Sequence, residues 1–273
     1  MHSGTVQYAT PRFPNLADCY FYHRMELPDI GEVGEEWDLR QNVSTYLGET
    51  NFAGKRVLEI GPASGFLTAY MERAGADVVS VDLPVDYGWD IVPRPGMREE
   101  FLQQRRRHLE RLHNGFWYTH QKLGLKSKVI YGRVQDLPDS VGKFDIAIIA
   151  AVLIHCRDAM GVLCRCCELA TERVVVSEAV WRKIMAPFPV MALIPTPTNT
   201  ACDVWWNIPP ESVVSMLQIM GFQKTRVLNH QQWQCSTQKA IPVYAAIGER
   251  VSSDSANPDR SGSQDFQVQL PIT

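Results

Sequence analysis

Five short β-branched runs separated by helical stretches constrain this chain more than any other feature. Arg56–Ile60, Asp77–Asp82, Val129–Gly132, Phe144–Ala150 and Arg173–Ser177 are apolar almost from end to end. A strand with one face in water alternates apolar and polar residues. Runs that do not alternate fit parallel strands covered on both faces. Between them lie the crossovers that such a sheet requires. Phe66, Ala69, Tyr70 and Arg73 share one helix face, with Gly75 as the stop; Met160, Leu163, Cys167 and Ala170 repeat the pattern after the fourth run. Pro210–Met220, closed by Gly221, is followed by two strand-like runs, Gln223–Leu228 and Ile241–Ile247, with no helix between them. The order predicts an α/β fold: a doubly wound, mostly parallel seven-stranded sheet ending in a C-terminal antiparallel hairpin.

Around this core, residues 1–50 read as an arm and helix covering the site, with Pro11 and Pro14 breaking its start and Trp37-Asp38-Leu39-Arg40 opening a short helix toward Leu47, N-capped by Asp38. Residues 51–250 hold the α/β domain. Two segments look inserted: 99–124, charged and helical, and 181–207, rich in Pro, Met and Trp. The Ser/Asp/Gln-rich residues 251–273 read as a disordered tail.

Composition excludes several function classes. The 27 Lys+Arg and 30 Asp+Glu leave a net charge of −3, not the basic field of a general nucleic-acid binder. Arg105-Arg106-Arg107 with Arg111 would form a local phosphate patch, but Glu99, Glu100 and Glu110 interleave, as on a solvated helix face. The longest apolar run, Ile146–Ile154, is far short of the ~20 residues that span a bilayer. The N-terminus shows no cationic-then-apolar leader, and the 7 cysteines are odd in number and irregularly spaced. The expectation is a cytoplasmic protein with reduced thiols. Cys164, Cys166 and Cys167 form a C-x-C-C run inside an amphipathic helix without a second spaced pair, which fits buried thiols; no metal site is expected.

The most informative motif is Val57-Leu58-Glu59-Ile60-Gly61-Pro62-Ala63-Ser64-Gly65, between the first strand and the first helix. Glycines here let the backbone turn tightly and approach a ligand, in the crevice where open α/β sheets bind them. The spacing is Gly-x-x-x-Gly, not the G-x-G-x-x-G that seats a dinucleotide pyrophosphate. Glu59 adds a carboxylate that disfavours a pyrophosphate and suits an ammonium and a sulfonium. Asp82, ending the second strand, can accept from both hydroxyls of a ribose. The combination favours S-adenosylmethionine (SAM) over NAD.

From roughly Lys55 to Gly248 the chain resembles the class I SAM-dependent methyltransferases, with a Rossmann-like fold. The resemblance implies that Glu59, Gly61, Pro62, Ala63 and Gly65 hold the methionine end and Asp82 the ribose. Ala63 departs from the middle glycine of many members. Gly132-Arg133-Val134-Gln135-Asp136-Leu137-Pro138 resembles the adenine-contacting segment, with Val134 offering backbone and Gln135 or Asp136 a side chain; Arg133 stands where members often carry an acid. Phe144–His155 resembles motif IV and its exit, which puts Ala150 beside the cofactor. The flanking text is similar to bacterial small-molecule methyltransferases. The Trp37-Asp38 entry and Asn114-Gly115-Phe116-Trp117-Tyr118-Thr119-His120 also resemble the group that modifies wobble uridines in tRNA.

Methyl transfer needs an aligned nucleophile and, for a hydroxyl, a base. His155, just past the fourth strand, is the candidate base; its alternative is to pack the loop beneath the cofactor. Glu178, after the fifth strand, is placed to orient His155, to bind a substrate hydroxyl, or to lie solvated in a loop. His23 and His120 are further substrate-side candidates. Trp205, Trp206 and Asn207, near Asp203, form either an aromatic substrate wall or a hydrophobic plug. Three functions follow: methylation of a small molecule, more readily at oxygen; methyl or carboxymethyl transfer to tRNA, the latter needing a cation, for which Arg157 is nearest; or SAM binding without methylation. The oligomeric state is not encoded in any feature read here.

Overall fold

A computed structural model describes residues 4–87, 90–97, 99–180 and 190–251. In chain order the strands are β1 (Met25–Leu27), β2 (Gly31–Val33), β3 (Trp37–Asp38), β4 (Arg56–Ile60), β5 (Asp77–Asp82), β6 (Lys128–Tyr131), β7 (Phe144–Ala150), β8 (Ala170–Ala179), β9 (Ala192–Leu193), β10 (Trp206–Asn207), β11 (Lys224–Gln234) and β12 (Lys239–Glu249). The α-helices are α1 (Val43–Tyr46), α2 (Phe66–Arg73), α3 (Glu99–Leu123), α4 (Ala159–Leu169) and α5 (Pro210–Ile219).

The main sheet runs β3-β11-β12-β8-β7-β4-β5-β6. β6, β5, β4, β7 and β8 are parallel neighbours, and β12 then pairs antiparallel with β8 and with β11. All seven expected strands are present, and the hairpin closes one edge. The sheet reverses direction of travel at β4, so the ends of β4 and β7 diverge and leave a crevice there.

The absence of alternation in the strands has its physical cause in two buried faces. Leu58, Ile60, Val79, Val81, Ala147, Ile149, Val174 and Val176 face a core shared with α4 and α5. Val57, Val78, Ile146, Ile148, Val175, Val243 and Ile247 face a second core shared with α1 and α2. Removing apolar surface from water on both sides, at roughly 25 cal/mol per Å², dominates the stability of such a layered fold.

Three expectations are revised. The sheet has an eighth strand, because Trp37 and Asp38 pair with Gln234 and Trp233 rather than opening a helix. Asp38 still accepts from the Arg40 N–H at 3.2 Å, but as a turn ahead of a 3-10 helix at Arg40–Asn42. Segment 99–124 is the β5–β6 crossover itself, built as the 25-residue helix α3. Residues 181–189 of the second proposed insertion and 252–273 of the proposed tail lie outside the described residues. No described helix is long and apolar enough to cross a membrane.

Candidate functional site

At the C-terminal ends of β4, β5 and β7 lies a cavity of about 350 Å³. Its floor is the glycine turn. Gly61 and Ala63 have φ of +70° and +49°, and Gly65, which precedes α2, has φ of +87°. A Cβ at Gly61 would sit 2.8 Å from Val152 Cγ2, so only glycine fits where the turn passes the β7 exit loop. A Cβ at Gly65 would press on Phe116 and Thr119 of α3. Ala63 tolerates the left-handed region that elsewhere favours glycine, at a cost of about 1–2 kcal/mol.

The next strand brings Asp82 to the same cavity. Its Oδ1 accepts from the Leu83 N–H at 2.8 Å, which anchors that oxygen at the strand end. Gly132, Arg133, Val134 and Gln135 line the wall after β6, and Ala150, Ala151 and Val152 the wall after β7.

The opposite side is assembled from distant pieces. The arm supplies Tyr20, Tyr22, His23 and Glu36, α3 supplies Arg105, His108 and Leu112, and the loops supply His155, Cys156 and Asp203. Tyr20 donates its hydroxyl to Glu36 Oε1 at 2.9 Å, and its ring lies 4.7 Å from that of His108. Arg105 is ion-paired with Asp203 at 2.6 Å. The Asp203 carbonyl takes a hydrogen bond from His155 Nδ1. A carbonyl oxygen only accepts, so Nδ1 carries the proton and Nε2 holds the lone pair. Burial lowers the His155 pKa, opposed by the Asp203 carbonyl and charge, so the ring is neutral near pH 7. His23, also buried, is pushed down to about 3.

Comparison with known proteins agrees with this architecture. No family model and no curated protein matches the chain. Among solved structures, EvdMO1 superposes with a TM-score of 0.50 at 16% identity, over 83% of this chain and 44% of that one. Magnesium protoporphyrin IX methyltransferase (ChlM) from Synechocystis PCC 6803 with bound SAH gives 0.48 at 15% identity, over 77% and 81% of the two chains. The 1,6-didemethyltoxoflavin-N1-methyltransferase of Burkholderia thailandensis gives 0.47 at 16%, over 77% of each chain. The chain shares the Rossmann-like α/β fold of EvdMO1.

Within this fold, the residues singled out from sequence divide into two groups. Gly61, Ala63, Asp82, Val134, Gln135, Ala150, His155 and His23 all line the one cavity. The others lie behind or away from it. Glu59 is 1% exposed and turned into the protein, where its Oε2 accepts from Thr68 at 2.6 Å and Ser80 at 2.7 Å. It therefore ties β4 to α2 and β5, and burial raises its pKa to about 7. Pro62 and Gly65 shape the turn through the Gly65 N–H to Pro62 carbonyl bond of 2.9 Å. Asp136 points to solvent near Arg133, at 3.8 Å.

Glu178 is neither solvated nor in a loop. It lies inside β8, fully buried, and accepts from the Leu153 N–H at 2.9 Å and the Ile154 N–H at 3.4 Å. It thus holds the backbone that carries His155 and does not touch the imidazole. His120 faces Ser127 O at 3.1 Å and packs near Phe116 and Trp117, and does not line the cavity. The Trp206 indole donates to the Cys156 carbonyl at 3.0 Å, which braces the β7 exit loop from outside the cavity. The arginine run is used internally: Arg105 on Asp203, and Arg111 on the Cys19 carbonyl at 3.0 Å. All seven cysteines are free thiols.

Sequence reasoning missed Tyr20, Tyr22, Glu36 and His108 on the cavity wall, and Ser64 beneath it. Ser64, fully buried in the glycine turn, accepts from the Tyr22 N–H at 3.0 Å and the His23 N–H at 3.4 Å. The available signal was an aromatic-rich segment, Tyr20-Phe21-Tyr22-His23, in an arm otherwise without period.

Proposed function

We propose that this protein is a SAM-dependent methyltransferase that methylates a small-molecule acceptor at a hydroxyl oxygen. The observation that carries the reading is the pairing of a left-handed Gly61–Ala63 turn with Asp82 across one cavity, at the strand ends where this fold binds ligands. That cradle fits SAM: the main chain at Gly61 and Ala63 can approach the methionine end closely, Asp82 can accept from the ribose hydroxyls, and Val134 and Gln135 flank the adenine. The fit excludes the Glu59 carboxylate, which is turned away. SAM supplies a methyl already activated on its sulfonium.

The chain's own residues do the rest. The arm and α3 cover the acceptor and exclude water. His155 Nε2, unprotonated for the two reasons given, tautomer and burial, would take the proton that the acceptor hydroxyl gives up when the methyl leaves the sulfonium for that oxygen and S-adenosylhomocysteine departs. Glu178 fixes the Leu153–Ile154 backbone and so the position of that ring. The choice of oxygen rests on His155.

The test is calorimetric titration of SAM, S-adenosylhomocysteine (SAH) and NAD into wild type and Asp82→Ala. Micromolar binding of the first two, about 10- to 100-fold weaker in the variant, with none for NAD, is expected. Folded protein that binds no SAM overturns the reading. Release of SAH on addition of candidate hydroxyl acceptors separates small-molecule methylation from transfer to tRNA and from SAM binding without turnover.

A further inference from the structure

Helix α3 passes behind β5 and sets one histidine against the carboxylate that lines the cavity. His113 is 2% exposed, and its Nε2 lies 3.4 Å from Asp82 Oδ2. That nitrogen is buried and has no hydrogen-bond partner among the described residues; the Asp82 carboxylate lies in reach, but the contact is not yet a hydrogen bond. The ring packs against that of Tyr131 in a tilted arrangement, with centroids 4.4 Å apart and planes at 34°. Tyr131 is itself pinned: its hydroxyl accepts from the Trp117 indole at 2.9 Å and from Arg12 at 3.4 Å. The imidazole edge is therefore fixed while the Asp82 carboxylate retains one torsion in which to turn.

The lone pairs of Asp82 explain why that edge matters. A carboxylate offers about four acceptor positions, two per oxygen. On its inner side Oδ1 takes the Leu83 N–H at 2.8 Å, and Oδ2 faces His113. One acceptor position on each oxygen is left for the cavity, matching two hydroxyls on adjacent carbons. A carboxylate sealed under a ligand loses its water, and that loss is offset only when every acceptor position finds a donor. Because Oδ2 can only accept, the proton between the two groups belongs to Nε2. A hydrogen bond from Nε2 needs that 3.4 Å separation to close by a few tenths of an ångström, which a small turn of the carboxylate toward a bound diol would supply.

We infer that His113 is a positioning residue for the ribose diol of the cofactor: it orients Asp82 from behind, so that recognition depends on the ribose hydroxyls through a residue that never touches them. The inference rests on the SAM reading above. A histidine that only fills space between α3 and β6 would make no distinction between ligands with and without those hydroxyls.

The experiment compares SAH with its 2′,3′-dideoxy analogue by calorimetry on wild type, His113→Phe and His113→Gln. Phenylalanine keeps the stack on Tyr131 and removes the donor; glutamine keeps a donor without the ring. His113→Phe is expected to weaken SAH about tenfold and to leave the affinity for the dideoxy analogue unchanged, with His113→Gln recovering part of the loss. Equal weakening of both ligands, or SAH binding to His113→Phe as tight as to wild type, overturns the inference. Absence of SAH binding to wild type is a separate result, and removes the cofactor reading itself.

Discussion

Gly61, Ala63 and Asp82 reach the cavity from one continuous stretch, residues 56–82, whereas Tyr20, Tyr22, Arg105, His108, His155 and Asp203 reach it from segments scattered across the chain. The side proposed to hold the cofactor is a strand, a turn and a helix whose geometry follows from local backbone and from pairing of β4 with β5. The acceptor side exists only once the arm has docked. The Tyr20 N–H bonds the Arg111 carbonyl at 2.8 Å, Asn114 bonds the Asp18 carbonyl at 3.2 Å, and Gly115 lets the Tyr20 carbonyl lie against α3. Ser64 is the point where the two sides meet, one hydroxyl under two N–H groups of the arm. A site built this way can keep its cofactor while its acceptor wall is altered by changes in contacts far apart in sequence.

The largest effect should come from the acceptor side. His155→Gln is expected to lower turnover about 10²- to 10⁴-fold while SAH affinity is retained. The wild-type rate should also fall only at a pH below the ordinary imidazole value of 6.5, because burial lowers the His155 pKa and the base is lost on protonation. That acid limb should vanish from the residual activity of the variant. SAH release measured across pH, together with SAH titration, checks both; an unchanged limb assigns the base elsewhere.

A smaller effect tests whether the two sides separate. A Cβ at Gly115 would lie 2.2 Å from the Tyr20 carbonyl oxygen, a contact that backbone cannot yield without moving the arm. Gly115→Ala should cost about 1–3 kcal/mol of stability and make residues 4–36 more sensitive to protease. Turnover should drop, whereas the SAH dissociation constant should move less than about threefold. Equal losses in turnover and in SAH affinity would show that the Ser64 link fuses the two sides into one unit.

The same contrast governs what could be read from the residues alone. Strands β4, β5 and β7 are visible as short unbroken apolar runs and helix α2 by its period, signals contained within a few residues. The turn is visible because Gly61 and Gly65 occupy backbone that other residues resist. β3 is not: Trp37 and Asp38 become a strand only through partners at Gln234 and Trp233, at the other end of the chain. The direction of Glu59 was recoverable, since it shares the parity of Val57 and so faces the core under α2, where Thr68 and Ser80 meet it. The burial of Glu178 follows from β8 running past Ser177, paired with β12, and no local pattern announces that. His113 and Ser64 act on groups distant in sequence, so their roles emerge only in three dimensions.

The smallest effect in acid, and the most specific, concerns Glu178. Burial raises its pKa to about 8 from an ordinary 4.5, and the backbone N–H groups of the β7 exit loop only partly oppose this. Between those two values the folded protein keeps a proton that the unfolded chain releases. Stability from this group therefore falls as pH rises from 4.5 through about 8, then levels off. Glu59, raised to about 7, acts in the same sense over a narrower window. The buried His23 and His155, both lowered from 6.5, act in the opposite sense as pH falls below that value. The difference between wild type and Glu178→Gln cancels all of these and isolates Glu178. At or below pH 4.5 the amide replaces a carboxyl that is protonated in the folded protein, and its oxygen can accept the Leu153 N–H, so the change there should be about 1 kcal/mol or less. Between pH 4.5 and about 8 the wild type loses stability that the variant, which has no proton to release on unfolding, keeps, so Glu178→Gln should become the more stable protein within that range and hold a constant advantage above it. Thermal unfolding of both across that range decides it: melting curves that stay parallel with pH would mean that Glu178 ionises as readily in the folded protein as in the unfolded chain.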